Sequence, residues 1–510
     1  MIIPTYKKEL KDLTRQLVWG SAVDSLTINR EMSRVLNKEY IERLWEYVFN
    51  DNLIKLGITS KSDFSYLRDW ILFSDITYQV KSPESLKVAL FCGPEPENDV
   101  NHLLELGVRI ENIYAFEYEK RLFETAIKSL KQTFPTLKIY NGRIETFIIS
   151  SPIKFDIIYL DFTASIIANI QTISTIIDYN ALSELGVLAI NSCFPDKTEE
   201  NVTILTDYFY FQSCFEYSVL NGGENKGRFI ESTFAYGLDY EQTKSMIESH
   251  FEDAYSAFQT SFVANYMNHI KPFYVVLNNP ILKKRLFTTN DKLITQVKDD
   301  FENNENVYLE PEQFSLYHFF CKISNDKWNS FIEEKGACKY SRKDATTLMY
   351  AFLDAKYNNY EIALSDSLKK SLPQIDENLP DRQGGLFCDI PMIHLWLEIA
   401  INQLGYPYHI NMKNHKRYAY TSKTRKMCLD IFTLDQCRSF YDWLPMIEYY
   451  GDDLAKLERQ MISRICVDAI DKHTIYYLER QYFGSAIVGI NEFPWSSNYI
   501  IPERINLKNK

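Results

Sequence analysis

Between residues 86 and 192, short apolar runs alternate with longer segments of mixed character, the strongest structural signal in the chain. The runs Lys87–Phe91, Ile113–Phe116, Lys138–Tyr140, Phe155–Leu160 and Gly186–Ile190 have strand length. Nearly continuous apolar runs suit strands buried on both faces, the condition of a parallel sheet covered by helices. The intervening segments Glu97–Leu106, Glu119–Thr133 and Ile166–Ser183 have helix length. Strand alternating with helix predicts an α/β fold with a doubly wound, mostly parallel sheet.

Outside this stretch the pattern is mainly helical. Ile41, Leu44, Trp45 and Val48 follow the spacing of one helix face, with Glu42, Arg43 and Glu46 on the other side. With a second helical piece at Phe64–Phe73 they predict an N-terminal helical cap over residues 1–80. The sheet domain is expected to span 81–240, its remaining strands at Tyr208–Tyr217 and Arg228–Tyr236 on either side of the turn cluster Asn221–Gly227. Residues 241–300 read as a helical connector, in which Tyr255, Phe258, Phe262 and Tyr266 form a core-facing stripe. The hydrophilic stretch Thr288–Asn306 suggests a boundary, followed by a mainly α-helical C-terminal domain over 301–510.

Open parallel sheets bind ligands beyond the carboxyl ends of their strands. The residues at those ends are Cys92 and Gly93, then Glu117, then Asn141, Gly142 and Arg143, then Asp161 and Phe162. Glu117 follows Gly93 by 24 residues, and a carboxylate there accepts both hydroxyls of a ribose, which suits an adenosine-containing ligand. The same acid is also placed to open the helix that follows, where the macrodipole favours negative charge. The turn Gly93-Pro94-Glu95-Pro96-Glu97-Asn98-Asp99 has one glycine and three acids. It makes a good helix start but repels phosphate, which counts against NAD or FAD and their Gly-x-Gly-x-x-Gly cradle.

The succession Phe91-Cys92-Gly93-Pro94, Phe116-Glu117, Asn141-Gly142-Arg143-Ile144-Glu145, Phe155–Phe162 and Leu182–Leu188 resembles the successive motifs of class I S-adenosylmethionine-dependent methyltransferases. The resemblance covers residues 86–192 of the 510 and implies a Rossmann-like methyltransferase-type sheet with S-adenosylmethionine as cofactor. It implies that Cys92, Gly93 and Glu95 in the turn hold the methionine end, that Glu117 holds the ribose, and that Arg143 or Ile144 lies beside the adenine. It further implies that Asp161 faces the methyl group and the acceptor, with Phe162 packed against the acceptor. Two features depart from the family pattern: the acidic turn, and Asp161-Phe162-Thr163-Ala164-Ser165 in place of a proline-shaped acceptor turn. S-adenosylmethionine carries no phosphate and has an ammonium and a sulfonium, so an acidic rim is tolerable; its carboxylate needs backbone N–H groups or a cation that the local sequence does not supply.

Composition narrows the setting. The chain is 45% hydrophobic and 15% aromatic, a globular composition, and its length suits several domains. A net charge of −12 argues against wholesale attachment to nucleic acid or an anionic membrane. No uncharged apolar run reaches spanning length and the first residues lack a signal-peptide core, so a cytoplasmic protein with no membrane association is expected. The nine cysteines show no Cys-x-x-Cys pair, and the histidines form no ligand cluster; reduced thiols and no metal are expected.

Against the acidic background, Met412–Met427 holds six Lys or Arg and no acid. Lys413, Lys416, Arg417, Lys423, Arg425 and Lys426 interleave with Tyr418 and Tyr420, a combination that contacts phosphates and stacks on bases. The same segment suits docking of an acidic protein partner equally well, while the aromatic runs Phe440–Pro445 and Ile475–Leu478 suit either core or a homo-oligomer interface. The functional expectation is methyl transfer from S-adenosylmethionine, with nucleic acid as acceptor. The alternative is a catalytically degenerate methyltransferase-like protein acting as a binding or scaffold subunit, which the two departures suit.

Overall fold

The computed structural model describes residues 8–35, 39, 41–42, 64–93, 95–219, 238–279, 281–282, 404–411, 414–422, 425–439 and 503–507. Five strands of the expected series are present: β1 (Val88–Phe91), β2 (Ile113–Glu117), β3 (Lys138–Asn141), β4 (Phe155–Asp161) and β5 (Leu182–Cys193). They pair in parallel in the order β3-β2-β1-β4-β5. That order reverses direction between β1 and β4, the switch point at which doubly wound sheets bind ligands.

Helices cover both faces. On one face lies α1 (Lys8–Leu26), whose Val18, Trp19, Ala22, Val23 and Leu26 share a buried cluster with the sheet. The short α2 (Arg30–Ser33) and α3 (Phe64–Thr77) follow it in the chain. Beside α1 pack α4 (Glu97–Glu105), through Val100 and Leu103, and α5 (Lys120–Thr133), through Ala126 and Leu130. On the other face α6 (Ile144–Ser150) brings Phe147 against Tyr114, Phe116, Tyr140 and Phe155.

The segment expected as one helix over Ile166–Ser183 is shorter: α7 spans Ile170–Asp178, and Leu182 already belongs to β5. Asn180, at φ 50°, turns the chain between them; asparagine tolerates that left-handed conformation better than most residues.

One expectation about the rest of the sheet is corrected. Tyr208–Tyr217 lies inside the helix α8 (Glu199–Val219), where Val202, Leu205, Tyr208 and Phe209 are buried at spacings of three and four. Arg228–Tyr236, the turn cluster Asn221–Gly227 and the aromatic runs Phe440–Pro445 and Ile475–Leu478 lie outside the described residues. The stripe Tyr255, Phe258, Phe262 and Tyr266 is buried, along α10 (Phe251–Asn265) and the single π turn Tyr266–Ile270. That segment follows α9 (Tyr240–Ser249) and leads into α11 (Lys271–Asn278).

The sheet is completed from the far end of the chain. The short β6 (His409–Ile410), β7 (Lys416–Ser422), β8 (Arg425–Asp435) and β9 (Ile505–Asn506) extend it. β8 runs antiparallel to β5 from Leu185↔Asp435 to Cys193↔Met427, and β7 runs antiparallel to β8. The basic segment assigned to a separate helical C-terminal domain is therefore, where described, an antiparallel hairpin of the central sheet. Its strands alternate Tyr418 and Tyr420 with Arg417 and Ala419, and Met427, Leu429 and Ile431 with Cys428, Asp430 and Phe432, so both faces are buried. Charges within a pattern buried on both faces conceal its period of two.

Candidate functional site at the carboxyl edge

Strand register places the expected site residues in one row. β1 and β2 align Phe91 with Phe116, β2 and β3 align Glu117 with Asn141, and β1 and β4 align Leu90 with Tyr159. Carried on by two residues, the last alignment sets Cys92 beside Asp161, which is itself opposite Asn191 on β5. Adjacent strands lie about 4.8 Å apart, so Glu117, Cys92 and Asp161 are successive members of one edge across the switch point.

Gly93 has φ +56° and Gly142 φ +151°, and at neither does a Cβ meet a described atom within 4 Å. The backbone turns there in conformations that glycine adopts without strain, beside open space. Between them, Glu117 Oε1 accepts the Glu119 N–H at 2.7 Å, and its main-chain oxygen accepts the Gly142 N–H at 2.9 Å. Burial pushes the Glu117 carboxyl above its ordinary range, opposed by N–H groups of Glu119, Tyr118 and Gly93. A carboxylate has about four acceptor positions, so the 2.7 Å bond from Glu119 leaves capacity for a diol. The Arg143 guanidinium lies over the Tyr118 ring at 4.7 Å, while Ile144 is buried in the first turn of α6. Glu95 is exposed and accepts from Asn98 Nδ2 at 3.2 Å. The Cys92 thiol is pushed up to about 12, first by burial and then by Glu117, and stays protonated at neutral pH.

The helix α1 supplies what local sequence could not reveal. Asp99, in the first turn of α4, is buried; its Oδ1 accepts from Trp19 Nε1 at 2.9 Å and its Oδ2 from Arg15 Nε at 3.3 Å. Arg15 Nη1 also pairs with Asp12 at 2.9 Å. Burial raises the Asp99 carboxyl and Asp161 raises it further, against Arg15 and Trp19. Lys11 Nζ stands 4.0 Å from Asp161 Oδ2. Trp19 packs edge-on against Tyr159, two residues before Asp161. Asp161 Oδ1 accepts from Asn191 Nδ2 at 2.7 Å, and the same nitrogen lies 2.8 Å from the Tyr420 hydroxyl. Phe162 turns to the other face of the sheet, edge-on to Phe91 at 5.6 Å, and does not accompany the Asp161 carboxylate.

The basic segment is divided. Tyr418 and Tyr420 are buried and offer no ring face to a base. Arg417 pairs with the buried Asp430 at 3.5 Å and donates to Ser256 O. Lys416, Arg425 and Lys426 are exposed. Lys416 reaches Ser21, Arg425 reaches Thr163 O at 3.2 Å, and Lys426 pairs with Glu252. Lys413 and Lys423 lie outside the described residues.

The sheet and the edge define the class as a doubly wound, Rossmann-like α/β protein. No family model and no curated protein matches the chain. Among solved structures it is similar to an S-adenosylhomocysteine-bound Podospora anserina methyltransferase, PaMTH1, at 13% identity and a TM-score of 0.19, over 50% of this chain and 90% of that one. At that score the similarity carries no weight for fold or function. Among the described residues no helix is long and apolar enough to cross a membrane, and no group of His, Cys, Asp and Glu is arranged to hold a metal ion.

Proposed function

We propose that the chain is an S-adenosylmethionine-dependent methyltransferase. The observation that carries the reading is the row of Glu117, Cys92-Gly93 and Asp161 across the switch point, with open space at the two glycines. The antiparallel hairpin that follows β5 supports it as well, because the dinucleotide-binding order continues with further strands of the parallel series. The residues suit this cofactor better than a dinucleotide: Glu95, Glu97 and Asp99 oppose a pyrophosphate and favour an ammonium.

S-adenosylmethionine supplies a methyl group already activated by its sulfonium. The chain has to hold the nucleoside, align the acceptor and accept a proton. In this reading Glu117 takes the ribose hydroxyls, the Gly93 turn takes the amino-acid end, and Asp161, held by Asn191, accepts from the acceptor's N–H or O–H. Nucleic acid is the proposed acceptor: Arg425 reaches Thr163 O, two residues past Asp161, where a phosphate backbone would pass, and Lys426 follows it on the same strand. The scaffold alternative is supported by the engagement of Asp161 with both Asn191 and Lys11.

Calorimetry of the full chain with S-adenosylmethionine and S-adenosylhomocysteine tests the reading. Binding of both is expected; an intact fold that binds neither at hundreds of micromolar overturns it. Binding with no transfer of labelled methyl to RNA, DNA or protein selects the scaffold alternative.

A further inference from the structure

We infer that α1 completes the ligand site by supplying the cation for an amino-acid carboxylate, with Arg15 as the contacting residue and Lys11 beside it. This rests on the nucleoside reading of the carboxyl edge and goes beyond it, because the turns that follow β1 and β4, Cys92–Pro96 and Phe162–Ile166, hold no cation.

The geometry is specific. Arg15 is tied to the edge by Asp99, which belongs to the helix that begins just past the Gly93 turn. Lys11 stands one helical turn earlier on the same face of α1 and meets Asp161, the last residue of the neighbouring strand. The two cations therefore lie above the gap between the ends of β1 and β4. The described bonds of Arg15 engage Nε and Nη1, and the guanidinium fork carries further donors on Nη2. Its side chain retains 14% exposure.

The charges also alternate. Asp12, Arg15, Asp99, Lys11 and Asp161 place carboxylates and cations in turn around one corner. A lone anion there meets repulsion from three carboxylates and a lone cation from two cations, whereas a zwitterion finds a partner for each end. An α-amino acid head, with its ammonium towards Asp99 or Asp161 and its carboxylate towards Arg15, matches this arrangement. Burial and the bond to Trp19 fix Asp99, so Arg15 is held in place before the ligand arrives.

The test compares two ligands on two forms of the full chain. S-adenosylhomocysteine carries the amino-acid head; 5′-methylthioadenosine keeps the nucleoside and sulfur and lacks it. Arg15→Gln is expected to weaken S-adenosylhomocysteine about tenfold or more and to leave 5′-methylthioadenosine unchanged, with Arg15→Lys recovering part of the loss. Equal loss for both ligands, or no loss for either, overturns the inference. If Arg15→Gln does not fold by circular dichroism, Lys11→Gln, on the more exposed cation, is expected to produce a smaller ligand-selective loss, and its absence overturns the inference too. Failure of the wild-type chain to bind either ligand is a different result, and removes the nucleoside reading itself.

Discussion

Asn191 and Asp161 face each other at the ends of β5 and β4, and Asn191 Nδ2 donates to Asp161 Oδ1 at 2.7 Å. The asparagine is fully buried, its Oδ1 has no described partner, and the same Nδ2 meets Tyr420. One amide thus fixes the carboxylate at the centre of the candidate site. Asn191→Asp replaces the donor with a second carboxylate, and the two then hold one proton between them. The folded state binds that proton more tightly than the unfolded chain, so the variant is expected to be more stable at low pH and to lose stability as pH rises. Urea unfolding across that range, beside the wild type, reads the sign.

Glu117 supplies the ribose contact of the proposed site. Glu117→Ala is expected to weaken S-adenosylhomocysteine by about 1–3 kcal/mol through loss of charge-assisted hydrogen bonds. Because burial raises this carboxyl, its charged form is lost early on acidification, and wild-type affinity should fall as pH drops through the range above ordinary carboxylates. Calorimetry at several pH values checks both, and Glu117→Gln should flatten the profile.

The indole N–H of Trp19 bridges α1 to α4 through Asp99. Trp19→Phe keeps most of the ring packing against Tyr159 but leaves Asp99 Oδ1 without its donor inside the core. A loss of about 1–3 kcal/mol is expected in chemical denaturation.

Asp430 is a different kind of buried acid. It accepts from Arg504 at 2.8 Å, Gln259 at 2.7 Å and Thr260 at 2.8 Å, lies 3.2 Å from His415 Nε2, and pairs with Arg417. Burial opposes its charge, but Arg504, His415 and Arg417 outweigh that and hold its carboxyl far below the usual range. Its stabilisation is therefore complete above the ordinary aspartate range and disappears as pH falls towards the depressed value. Asp430→Asn strands two guanidinium groups and is expected to cost about 3–5 kcal/mol, measured by urea unfolding at neutral pH.

Replacing Lys416, Arg425 and Lys426 together by alanine tests the nucleic-acid proposal without disturbing the Asp430 cluster. Each lost phosphate contact should reduce the steepness of the negative slope of log affinity against log salt by about 0.7–0.9. An unchanged slope in a binding titration removes these three from any nucleic-acid surface.

What the sequence by itself determined is local. The first four strands and the helices α4 and α5 follow from runs and periods within a few residues, and so does the row of Gly93, Glu117 and Asp161, because Glu117 and Asp161 end their strands and Gly93 stands two residues past the end of β1. The tertiary structure decided everything that depends on distant partners. Arg15 meets Asp99 across 84 positions and Asn191 meets Tyr420 across 229, separations over which no local period carries information. The hairpin β7–β8 shows the same limit from the other side: its lysines and arginines look like a solvated surface in the chain, but burial on both faces and pairing with β5 make much of it core. Charge in a sequence reports only that a partner is needed; folding supplies the partner, and with it the residue's role.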